Sequence, residues 1–164
     1  MQRVVLSVQE GLPVLPYGVQ TKMSRSNYSD GCDDRWALIR WRGQVASAIR
    51  GKRGQQLLRE LVAGLDAMPE KRLIADELEV CGQFCALGVV GKARGIDLKS
   101  IDPEASDIVA KQFDIAEPLA REIVYVNDEG GWGYDETPEA RWVRVRTWAV
   151  SKLMPEAAET RRGV

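Results

Sequence analysis

The sequence predicts a mainly α protein: a single small helical domain carrying one short β-hairpin. Three observations predict it. Apolar residues recur at helical spacing through several long windows. Residues that start and stop helices punctuate those windows. The Cys81-Gly82 turn between LIADELEV and QFCALG suggests a small β-hairpin, with IADELE as an extension of a helix the alternative. At 164 residues, 45 % apolar and 29 % charged, the chain has ordinary globular composition and the length of one domain with a modest core. The expected division is an N-terminal extension at 1–32, a helical domain at 33–154 and a polar tail at 155–164.

Each element has its own justification. Residues 1–32 are broken by Pro13, Pro16 and Gly18 and then turn polar in MSRSNYSDGCDD, with Met23 as a second candidate start. Asp33 or Asp34 can cap a first helix, its carboxylate accepting the free first-turn amides. At 100° per residue, Leu38, Trp41, Val45, Ala48 and Ile49 form its apolar stripe. Gly51-Lys52-Arg53-Gly54 then reads as a tight basic turn. A second helix follows with Leu57, Leu58, Leu61, Val62, Leu65 and Met68 on one side, closed by Pro69. The two form an αα-hairpin. After the β-hairpin, ALGVVGKARG reads as a short buried helix ended by Gly95. Asp102-Pro103-Glu104 starts another helix, with cap, proline and first-turn acid in order, covering Ile108, Val109 and Phe113. A turn at Asp114 leads to PLAREIVYVND. The last helix opens at Thr137-Pro138-Glu139 and runs to Leu153, with Trp142, Val145, Ala149 and Leu153 facing inward.

Composition restricts the chemistry. The chain has no histidine, so Ser–His and Cys–His nucleophile pairs are impossible within it, and the commonest metal ligand is missing. The three cysteines, Cys32, Cys81 and Cys85, argue against a disulfide framework, and Cys81 and Cys85 read as small buried hydrophobes. No apolar run reaches the roughly 18 residues of a membrane span, and the first residues do not read as a secretory signal. A cytoplasmic, non-enzymatic protein is the expectation, with no cofactor, no metal and no membrane partner.

Charge is segregated rather than balanced. Residues 35–59 hold seven Lys/Arg and no acid, a net +7. Residues 60–136 hold seven bases against seventeen acids, a net −10, and residues 137–164 six bases against three acids, a net +3. Two basic segments therefore bracket an acidic middle.

The candidate sites follow from that pattern. Opposite the apolar stripe of the first helix lie Trp36, Arg40, Gly43, Ser47 and Arg50. Their spacing puts them on one face, and Gly and Ser keep that face low. Arg42 flanks it, and Lys52 and Arg53 carry the charge into the turn. Such a row attracts phosphates, and Trp36 is placed to stack on a base. The simpler account is a solvated basic face that finds partners among the chain's own acids. In the last helix Arg141, Arg144 and Trp148 form a second Arg/Trp side. The segment NDEGGWGYDE supplies an acidic loop for a protein contact through Asp128, Glu129, Trp132 and Tyr134. It lacks the register of a calcium loop. The segment DIVAKQFDIAEPLAREIV has the outline of a helix-turn-helix. Its second helix leads with Glu117 and Glu122, which is wrong chemistry beside phosphates, so two packed helices is the better account.

MSRSNYSD, AIRGKRGQ, MPEKRLIA, CALG, KARGID, NDEGG and TPEARW, in that order, resemble a family of short uncharacterised proteins encoded by bacteriophages and prophages. The likeness spans about Ser24 to Lys152. It implies a small accessory protein of a mobile element inside a bacterial host cell, a setting rich in regulators and in inhibitors of host defence. The functional expectation is therefore a phage or prophage accessory protein that binds a host protein or nucleoprotein complex, in the manner of an anti-defence (anti-CRISPR-like) inhibitor. Direct nucleic-acid binding is the alternative, and the oligomeric state is left open.

Overall fold

The computed structural model describes Ser26 and residues 35–130 and 136–155. Within them the chain is mainly helical. α1 (Arg35–Arg50) and α2 (Lys52–Ala67) are followed by two short strands, β1 (Glu79–Val80) and β2 (Gln83–Phe84). Then come α3 (Ala86–Arg94), a 3-10 turn (Leu98–Ser100), α4 (Ser106–Gln112), α5 (Glu117–Asp128) and α6 (Pro138–Lys152). The two strands pair antiparallel, Glu79 opposite Phe84 and Val80 opposite Gln83.

α2 is the central helix, packing on α1, α3 and α6, while α5 packs on α1, α3, α4 and α6. Their apolar stripes meet in one core: Leu57, Leu58, Leu61 and Leu65 of α2, Leu87 and Val90 of α3, Leu119 and Ile123 of α5, and Val145 and Ala149 of α6. Phe113, at the end of α4, is fully buried beside Gly91 of α3. These are the residues that helical periodicity selects, because a one-sided apolar helix is stable only when that side is covered.

The αα-hairpin turns more sharply than the glycines suggest. Gly51 alone separates the two helices, and Lys52 already begins α2. Gly54 is no turn residue: it is buried inside α2 where a Cβ would collide with the Ala48 carbonyl. Its missing side chain lets the two backbones touch. Elsewhere the punctuation reads as expected. Thr137 caps α6 by accepting from the Ala140 amide at 3.1 Å, and Gly95 ends α3 in the left-handed conformation at φ 70°. Cys81 and Gly82 both have positive φ, 51° and 78°, as a two-residue type I′ hairpin requires.

One boundary moves. α4 begins at Ser106, because the Asp102 carboxylate accepts from the Glu104 amide at 2.9 Å and closes a local turn instead of capping a helix at Pro103. α3 begins at Ala86 as ALGVVGKARG predicts, and the Cys85 sulfur, accepting from the Gly88 amide at 3.4 Å, serves as its cap. Cys85 is buried as expected, whereas Cys81 is exposed on the hairpin turn.

Two buried amides tie the elements together. Asn127 on α5 accepts from the Ala86 amide at 2.9 Å and donates to the Ile74 carbonyl at 2.8 Å. Gln55 on α2 donates to the carbonyls of Ile49 and Lys152 and accepts from the Met154 amide at 2.8 Å. Gln55 thereby fixes the ends of α1 and α6 beside the start of α2. Ser26 also reaches the domain: it is fully buried, donates to Glu129 at 2.7 Å and accepts from Arg121 at 2.8 Å.

Candidate partner-binding surface

α1 exposes more of itself than it buries. Val45 and Ile49 are its buried residues, with Trp41 and Ala48 half-buried against the core. Trp41 stacks under the Arg121 guanidinium at 4.2 Å, which binds α1 to α5. On the other side Trp36, Arg40, Arg42, Gly43, Ser47 and Arg50 are all exposed, Trp36 to 67 %. Nothing stands over Gly43 within 4 Å of where a Cβ would be. Ile39 joins this face at 49 % exposure, and Arg35 is also exposed at its start. By the 100° count Ile39 falls at the edge of this side, the signal that could have found it, and Arg35 flanks it as Arg42 does.

The cations of this face are unspent. Among the described residues, Arg40, Arg42, Arg50 and Lys52 make no ion pair, and none of the four shows a side-chain hydrogen bond. Arg53, next in line, pairs with Asp114 at 2.8 Å. Both partners are largely exposed, 66 % and 75 %, so that pair is weak and easily exchanged. Arg40 and Arg50 stand about 15 Å apart along the helix axis. The corner at Gly51 adds the positive end of the α2 dipole to Arg50, Lys52 and Arg53. The first turn of α2 holds no acid, and Gly51 supplies no side-chain cap. That is the opposite of what helix stability favours at an N-terminus.

The second Arg/Trp side is built differently from the expectation. Arg144 grips both oxygens of Glu136, at 2.6 and 2.5 Å, and also donates to the carbonyls of Val126 and Asn127. Arg141 donates to the carbonyls of Asn127 and Leu73, each at 3.0 Å, and lies 3.5 Å from Glu136. Trp148 is half-buried against the core. Arg141 and Arg144 bind α6 to the end of α5 instead of facing outward, because a carboxylate eight residues upstream of Arg144 lies within reach. Hydrogen bonds from Arg144 hold Glu136 below the ordinary carboxylate value of 4.5, against the opposing effect of burial.

The acidic loop is engaged at its near end. Asp128 accepts from the Asp76 amide at 3.3 Å and from Asn127 at 2.7 Å, and Glu129 accepts from Ser26. Trp132 and Tyr134 lie outside the described residues. Sequence reading missed the chain's other internal clamps. Arg146 holds Asp66 through two bonds, at 2.5 and 3.0 Å, and Arg94 holds Glu60 at 2.6 Å. The α4–α5 unit is a pair of packed helices, with Arg121 turned onto Trp41 and Ser26.

What the arrangement can do follows from this sorting. The arginines of α6 and α3 are consumed inside the fold, and α1 keeps an exposed row of cations flanked by an indole and an isoleucine. Such a surface attracts anionic groups and offers apolar contact beside them. No helix of the described residues is long and apolar enough to cross a membrane. No protein-family model, curated protein or solved structure matches the chain.

Proposed function

We propose that this chain is a non-enzymatic accessory protein of a bacteriophage or prophage. It works by docking its α1 face onto an acidic surface of a host protein or nucleoprotein complex, as an inhibitor of bacterial defence does. One observation carries the reading: Arg40, Arg42, Arg50 and Lys52 are exposed without an acid partner among the described residues, next to a tryptophan 67 % exposed. A merely solvated face has no reason to exclude every acid over residues 35–59 when seventeen acids occupy the next 77 positions. The anti-defence setting rests on the resemblance to phage-encoded proteins.

Direct binding to nucleic acid is the second reading, favoured by the Trp36 indole among the cations. The acidic remainder of the molecule weighs against it, since a long polyanion would meet those carboxylates as well. Capture from a host lysate and a gel shift on bare DNA and RNA separate the two. The first reading predicts a partner retained by the wild type, lost with Arg40→Glu plus Arg50→Glu, and little retardation of bare nucleic acid at low salt. A steep, salt-dependent shift of bare nucleic acid replaces the first reading with the second.

A further inference from the structure

A groove of about 600 Å³ lies between the end of α2, the loop after it, the β-hairpin turn and α3. That is the size of a small-molecule site. Its apolar lining includes Ala67, Met68, Phe84 and Val89, and its charged lining is Arg72 and Lys92 against a single carboxylate, Glu70. Neither cation is well satisfied. Arg72 reaches Glu70 at 3.3 Å and Glu139 at 3.9 Å, and its buried Nε makes no hydrogen bond. Charge-assisted pairs of good geometry run at about 2.7–2.9 Å. The Lys92 ammonium has no ion pair among the described residues and rests 4.6 Å from the centre of the Phe84 ring, holding a positive charge beside the apolar lining.

We propose that this groove binds a small amphipathic anion. The flat apolar body lies against Phe84 and Val89, and its single carboxylate, sulfonate or phosphate meets Lys92 and Arg72. An apolar lining with one excess cation rejects both a neutral polar molecule and a cation. This site is independent of the α1 face, so charge reversal on α1 leaves it intact.

Cys81, exposed and in the lining, is a built-in reporter. The probe is 8-anilinonaphthalene-1-sulfonate, an aromatic sulfonate, on the full-length protein. Its fluorescence should saturate at one equivalent. Saturation should slow alkylation of Cys81 by iodoacetamide at least about threefold, read at that residue by peptide mass. Lys92→Gln removes no ion pair and should weaken the probe about tenfold, as should replacing it by neutral N-phenyl-1-naphthylamine. Ala67→Trp, which fills the groove from an exposed position, should abolish protection of Cys81. An unchanged Cys81 rate under saturating probe overturns the proposal. So does an affinity undiminished from that of the wild type for the sulfonate, whether for the neutral analogue or for the probe on the Lys92 variant. If Ala67→Trp disturbs the fold by circular dichroism, the wild-type protection and the Lys92 variant decide.

Discussion

Lys52 stands where a helix normally carries an acid. It opens α2 with Arg53 beside it and Gly51 as an uncapped start, so its charge opposes the dipole of its own helix. Lys52→Glu should raise the unfolding free energy by about 1 kcal/mol, measured by urea denaturation, while weakening partner capture. A variant that loses both stability and capture contradicts a binding role for this residue. Glu136 shows the reverse logic. Its carboxylate is lowered by the hydrogen bonds from Arg144, so the folded state binds a proton less readily than the unfolded chain does. The stability it contributes is full above about pH 4.5 and is lost as pH falls through the lowered value. Glu136→Gln should cost about 2 kcal/mol at pH 7, and the gap to wild type should close in acid. A pH-independent gap in denaturation midpoints contradicts this. In sequence, Arg40 and Arg144 look alike, each an arginine within about one helical turn of a tryptophan. What separates them is a long-range fact: Glu136 and the open carbonyls at the end of α5 converge on Arg144, and nothing described converges on Arg40. Periodicity gives the side of a helix a residue occupies, not which carboxylate waits there.

Helices and their order were legible because their determinants are local. Leu57, Leu61 and Leu65 recur on one side, Thr137 and Pro138 announce α6, and Gly95 ends α3, each within a few residues of its cause. Boundaries failed where two local rules competed. Asp102 had a choice between capping a helix and closing a turn, and took the turn. Gly54 resembled a turn glycine and is a packing glycine, because the signal for it, the Ala48 carbonyl, lies on a different helix. The sign of one substitution tests this. Gly54→Ala in an ordinary helix interior gains about 1 kcal/mol, but here the methyl meets the α1 backbone. A loss of about 1–3 kcal/mol by thermal or urea unfolding is expected. A gain would mean that α1 and α2 do not approach as described.

At the scale of the whole molecule, the segregation seen in the sequence survives only in part. The acidic middle neutralises the basic C-terminal segment where the fold brings them together, through Asp66–Arg146 and Glu136 with Arg141 and Arg144, and Glu60–Arg94 is spent within the middle itself. Depressed carboxylates at Glu60, where burial opposes the shift but the bonds from Arg94 and Gln56 together with the Arg94 charge prevail, and at Asp66, bonded to Arg146, belong to the same scaffold. The remainder is concentrated on α1, which packs through a narrow apolar edge and leaves its cations outward. The candidate surface is thus smaller than charge counting alone suggested: the α1 row stayed, and the α6 side became part of the structure. Charge counting cannot make that distinction, because it sees totals along the chain and not which opposite charges the helices bring together.

The most direct measurement is capture from host-cell lysate with immobilised wild-type protein and with the Arg40→Glu, Arg50→Glu variant, both shown to have the same circular dichroism, across rising salt. The account predicts a partner held by the wild type, released as salt rises and absent from the variant. A partner retained equally by both proteins, or none retained by either at low salt, contradicts it.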